Sequence, residues 1–111
     1  MNLYRQIKAA VMQMLDEKKA LDIVEIPLSA GLGRFSETCL IASGTSSRQM
    51  QAVADHLYRF FKSQGQKPLI EGSAESGWII IEAAGIEVHL FKPEMRSYYD
   101  LESLLKRQYA S

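Results

Sequence analysis

Two apolar runs, Trp78–Glu82 and Ile86–Phe91, are separated only by Ala83-Ala84-Gly85, a spacing that leaves room for little except a tight β-hairpin. With Ala84-Gly85 as a two-residue loop, Trp78 pairs with Phe91, Ile80 with His89 and Glu82 with Glu87. Side chains alternate across a strand, so Ile79, Ile81, Val88 and Leu90 share one purely apolar face, which must be core. Trp78, Ile80, His89 and Phe91 share the other, with two carboxylates toward the loop end. A type I′ loop places Ala84 at positive φ, a conformation that a Cβ disfavours.

The remaining segments add helices and strands around this hairpin. Leu3, Ile7, Val11, Met14 and Leu15 form one helical stripe, and Lys18 and Lys19 mark its C-terminal end. Asp22–Ile26 is β-branched and closed by Pro27, so it reads as a strand; Ser29–Ser36, with Gly31 and Gly33, reads as a loop, and Glu37–Ser43 as a second strand. Ser46 and Gln49 have the spacing of a capping box at the head of a long helix. Its apolar face carries Met50, Val53, Ala54, Leu57, Phe60 and Phe61, and Gly65 ends it. Pro68–Glu71 is a short strand beginning with Pro, which suits an edge. Pro93 ends the last strand, and a final helix starts near Asp100. The order predicts a mixed sheet flanked by helices in a single domain over residues 1–111, with at most a frayed tail at Tyr109–Ser111.

Little in the chain carries chemistry. Thirteen basic and thirteen acidic residues cancel, so phosphate neutralisation is not its means of holding a partner, and little direct nucleic-acid binding is expected. Cys39 stands alone in an apolar run and reads as a small buried hydrophobe, with no intrachain disulfide available. His56 and His89 lack the spacing of a metal site, so no metal and no other cofactor are expected. No apolar stretch reaches the ~18 residues of a membrane span and the start lacks a secretory layout, so the expected location is cytoplasmic.

The turn Gly44-Thr45-Ser46-Ser47 between a strand and a helix offers backbone N–H groups to an anion, though without Walker or dinucleotide glycine spacing. Nucleotidyltransferases pair such a turn with two metal-binding carboxylates on a nearby strand. Here the strands offer only Glu25, Glu37 and Glu82, with no alternating pair. A nucleotide-binding or nucleotidyltransferase-like enzyme using Gly44–Ser47 is therefore the alternative reading, and no catalytic residue is assigned. The aromatic face of the hairpin is either a second core layer under a helix or part of an interface. In the latter case Trp78, Phe91, Tyr98 and Tyr99 have the composition of a binding hot spot, and Arg96 among them supplies a directional anchor.

The ordered set of motifs resembles the ribosomal silencing factor (RsfS/Iojap) family. Lys18-Lys19-Ala20-Leu21-Asp22-Ile23 is similar to its opening, and Ala42–Gln49 with Ala52-Val53-Ala54-Asp55 to its Gly-Thr-Ser turn and helix. Glu71-Gly72, Trp78-Ile79-Ile80-Ile81 and Val88-His89-Leu90-Phe91 resemble its central pattern, and Glu94–Glu102 its closing signature; together they span Leu15 to Leu105. The chain differs at Glu37-Thr38-Cys39, at Leu104-Leu105, at Glu82 and at Ala84-Gly85. The resemblance implies an α/β (α+β) fold with a mixed five-stranded sheet, nucleotidyltransferase-like in shape without its catalytic site. It implies no enzymatic activity. It also implies binding to the large ribosomal subunit through ribosomal protein fourteen, which sterically blocks joining of the small subunit and represses translation when nutrients are limiting. The partner-binding residues expected on this basis are Trp78, His89, Phe91, Arg96, Tyr98 and Tyr99, and a homodimer is left open.

Overall fold

The computed structural model describes residues 2–28 and 36–108. The Gly31/Gly33 part of the expected loop and the expected tail at Tyr109–Ser111 lie outside the described residues. Five strands form one sheet: β1 (Leu21–Pro27), β2 (Thr38–Ser43), β3 (Leu69–Ser73), β4 (Trp78–Ala83) and β5 (Ile86–Phe91). Their spatial order is β1-β2-β5-β4-β3, with β2 and β5 parallel and every other neighbour pair antiparallel. The sheet is therefore mixed, and β3 takes the edge that its leading Pro68 suggests.

Two helices cover one face of the sheet. Helix α1 (Leu3–Glu17) buries Ile7, Val11 and Leu15, and α2 (Ser47–Ser63) buries Met50, Val53, Ala54, Leu57 and Phe61. These side chains meet Leu40 and Ala42 of β2, Ile79 and Ile81 of β4, and Val88 and Leu90 of β5 in one core. The apolar stripes of the helices and the purely apolar hairpin face thus find one another, which removes the most hydrocarbon from water. Gly65 sits at φ 77°, the left-handed position that ends α2. At the rim of this layer Lys8 donates to Glu25 across 2.6 Å, and that hydrogen bond holds the ammonium above its ordinary pKa. Because the folded value is raised, the stabilisation is present below the ordinary lysine pKa and fades as pH rises through the raised one.

The opposite face is covered in part. Two short helices, α3 (Pro93–Tyr99) and α4 (Leu101–Gln108), return across it. Leu105 of α4 joins Ile26, Cys39, Ile41 and Phe91 in a second, smaller core, with Met95, Leu101 and Trp78 packed at its margin. Between the strand that Pro93 ends and the helix expected near Asp100, where the sequence suggests no element, the chain forms α3. Pro93 both closes β5 and occupies the first turn of α3, where its missing N–H costs nothing. Asp100 is left-handed, with φ 46°, and forms the corner from which α4 starts.

The hairpin register is the expected one: Trp78 opposite Phe91, Ile80 opposite His89 and Glu82 opposite Glu87. Its loop holds Ala84 at φ 55° and Gly85 at φ 80°. A left-handed Ala is strained by on the order of 1 kcal/mol, and a glycine is not. Ala84→Gly is therefore expected to raise stability by about 1 kcal/mol, seen as a thermal midpoint several degrees higher. An unchanged or lower midpoint would show that the loop carries no such strain.

Candidate functional site: an aromatic ladder at the sheet's open face

Alternation along β4 and β5 puts Trp78, His89 and Phe91 on the partly covered face, and α3 carries Tyr98 and Tyr99 to the same place. The rings form a ladder from core to solvent. Phe91 is fully buried, and Trp78 stacks on it with centroids 4.9 Å apart and planes tilted by 28°. Tyr99 lies against the indole at 4.7 Å and is 46% exposed. Tyr98 meets Tyr99 edge-on at 5.2 Å and is 78% exposed. Such offset and edge contacts add to simple area burial and stiffen the outermost rings.

The face is buried in one part and exposed in another. Phe91 and His89 belong to the interior, Trp78 is half-buried, and the two tyrosines face water. The same sheet face runs on to half-buried Ile80 and, across the β3–β4 pairing, to Leu69, which is 63% exposed. Trp78, Ile80, Leu69, Tyr98 and Tyr99 thus mark an apolar surface, with Glu71 and Glu82 among them. Leu69 and Ile80 were not singled out from sequence. The hairpin register placed Ile80 beside Trp78, but the pairing that brings Leu69 alongside is not visible in the chain.

Arg96 faces inward. Its Nε donates to Glu102 at 2.6 Å and one terminal nitrogen donates to Ser43 at 2.9 Å, leaving the side chain 13% exposed. Ser43 ends β2, so the guanidinium ties α3 and α4 to the sheet beneath the tyrosines. A cavity beside it, about 410 Å³, is lined by Asp22, Ser43, Arg96, Asp100 and Glu102 among others.

His89 is 5% exposed, and its two ring nitrogens are both engaged. The Trp78 indole N–H points at Nδ1 from 3.0 Å, and Nε2 lies 3.1 Å from a Glu87 carboxylate oxygen. An indole N–H can only donate, so Nδ1 accepts; the ring proton is then on Nε2 and donates to Glu87. The ligand atoms of Cys39, Glu87 and His89 lie within 4.8 Å of one another. Sequence spacing hid this group, because it forms only when β2 lies parallel to β5 and Cys39 pairs with Glu87. A metal-bound histidine normally keeps a proton on its second nitrogen and donates it outward. Here the second nitrogen receives a hydrogen, so a metal on Nε2 would require a doubly deprotonated ring. The arrangement fits a hydrogen-bonded histidine, not a metal ligand.

The turn before α2 is occupied by its own side chains. The Ser46 hydroxyl accepts from Gln49 N–H at 3.0 Å, and the Gln49 amide oxygen accepts from Thr45 N–H at 3.0 Å. This is a capping arrangement closed by Gln49. A Cβ at Gly44 would stand 2.1 Å from Met50 Cγ, so close packing accounts for the glycine. Glu25, bonded to Lys8 of α1, and Glu82, bonded to Ser36, lie on opposite faces of the sheet and cannot share an ion.

The comparisons with known proteins agree with one another. Residues 3–110 match the model of the family described as ribosomal silencing factor during starvation, RsfS. A ribosomal silencing factor from Zymomonas mobilis is 42% identical over 95 residues, covering 85% of this chain and 71% of that protein. One from Haemophilus influenzae is 34% identical, covering 85% and 92%. A crystal structure of a protein from Chromobacterium violaceum superposes with a TM-score of 0.83 at 28% identity, covering all of this chain and 92% of the other.

Proposed function

The chain belongs to the ribosomal silencing factor (RsfS) family, and from that premise we propose that it docks through ribosomal protein fourteen of the large subunit and keeps the small subunit from joining. It acts as a single cytoplasmic domain and catalyses nothing. Among the described residues no helix is long and apolar enough to cross a membrane.

The observation that carries this reading is the exposed end of the aromatic ladder. Large, rigid, half-supported rings at a protein surface are the residues that most often dominate binding energy. Tyr98 and Tyr99 present such rings, Trp78 braces them, and Leu69 and Ile80 extend the apolar area beside them. In this reading Trp78, Tyr98 and Tyr99 touch the partner. Phe91, His89 and Arg96 hold them in place from below.

The mechanism is steric. A domain with a radius of gyration of 13.1 Å, seated where the small subunit must dock, excludes it without any reaction. The strength of repression then follows occupancy of that surface, and occupancy follows affinity and concentration. A pull-down of separated subunits and of the isolated partner protein tests the reading. Capture of large subunits and of ribosomal protein fourteen, with small subunits left behind, is the expected result. Capture of neither would remove it. Calorimetry with ATP, CTP and magnesium tests the enzyme alternative, and a saturable heat would favour that alternative.

A further inference from the structure

We propose that His89 is a positioning residue for docking: as its neutral, Nε2-protonated tautomer it fixes the Trp78 indole, and through it the exposed tyrosines, in the orientation that meets the partner. The inference deepens the docking reading and rests on it for its binding arm only.

The geometry makes a directed chain. The Glu87 carboxylate accepts from His89 Nε2 at 3.1 Å, and His89 Nδ1 accepts from Trp78 Nε1 at 3.0 Å. His89 and Glu87 side chains are 6% and 12% exposed, so water competes poorly for these bonds. Glu87 and His89 sit on β5, which is hydrogen-bonded on both sides, by β2 and β4. That rigid strand is the fixed end of the chain.

The indole is the movable end. Offset stacking on Phe91 limits the tilt of the ring but does not choose between its two faces, because a half-turn about Cβ–Cγ returns the indole to the same plane with its N–H on the other edge. The N–H bond to His89 supplies the missing constraint. Tyr99 packs on that indole at 4.7 Å and Tyr98 packs on Tyr99 at 5.2 Å, so a rotated indole displaces both. Holding these rings before the partner arrives removes an ordering cost from association. His89 therefore acts on the partner without touching it.

Two substitutions separate this role from simple packing. Asn places an oxygen near the position of Nδ1 and can still accept from the indole. Phe keeps a ring but offers no acceptor. The expected result is that His89→Phe weakens binding to purified large subunits about tenfold. His89→Asn should stay within about threefold of the parent protein. Equal weakening in both, or none in His89→Phe, would overturn the positioning role while leaving docking intact. A parent protein that binds no large subunits would instead contradict the docking reading.

A measurement on the unaltered protein needs no variant to fold. Trp78 is the only tryptophan and there are two histidines, so 15N spectra contain one indole N–H signal and two imidazoles. The proposal expects the His89 Nδ1 resonance in the unprotonated range near neutral pH, and coupling across the bond to the Trp78 N–H. A His89 ring protonated on Nδ1 would overturn it.

Discussion

Phe91→Ala is expected to cost about 3–5 kcal/mol of folding stability, the range seen when a buried aromatic is cut to a methyl. The ring is fully buried, lies in the second core with Ile41 and Leu105, and is the floor on which Trp78 stacks. Its removal opens a hole that Cys39 and Ile41, fixed on β2 between β1 and β5, cannot collapse to fill. A domain of this size has a total stability on the order of 5–15 kcal/mol, so the variant should melt well over ten degrees lower. Chemical denaturation gives the figure directly. A loss under about 1 kcal/mol would mean that the second core contributes little and that α4 is not firmly seated.

Tyr98→Ala should do the reverse: leave stability within about 0.5 kcal/mol and cut affinity for the large subunit. Tyr98 is 78% exposed, and among the described residues its ring packs only on the Tyr99 ring. Truncation at such a site is usually neutral for folding. As an interface anchor it is worth about 2 kcal/mol, or about thirtyfold in affinity. Paired melting and co-sedimentation experiments separate the two quantities. Unchanged co-sedimentation would remove Tyr98 from the contact surface, and a large drop in melting temperature would show that its ring supports α3.

These two predictions differ because one ladder crosses from core to solvent, and the sequence shows that crossing only in part. The hairpin was legible, since two apolar runs flank a short loop and reading Ala84-Gly85 as its two-residue turn gives the observed register. Helix α2 was legible too, from Ser46, Gln49 and Gly65 at its ends and an apolar stripe between. Helix α3 was not. Pro93 is as good a strand terminator as it is a first-turn residue, and seven residues are too few to show a periodicity. The relation between β2 and β5 was also hidden, because a parallel pairing depends on contacts far apart in the chain.

That pairing decides two features of the site. It brings Cys39 beside Glu87 and so assembles the polar group around His89. It also places the end of β2 where Ser43 receives the Arg96 guanidinium, 53 positions later in the chain. Read from its neighbours, Arg96 belongs with the aromatics at its side. In the fold it is an internal tie. Composition could locate the aromatic cluster, but it could not sort anchors from supports, since that sorting is a matter of burial.

Occupation of the large subunit by this protein is proposed to prevent subunit joining. Purified small and large subunits, mixed under conditions that favour association, can be separated by sedimentation with increasing amounts of the protein. Joined particles should decline as the protein is added, the protein should travel with the large-subunit peak, and Tyr98→Ala should require about thirtyfold more protein for the same effect. Joined particles that persist at saturating protein, or protein that travels with the small subunit, would contradict the proposal.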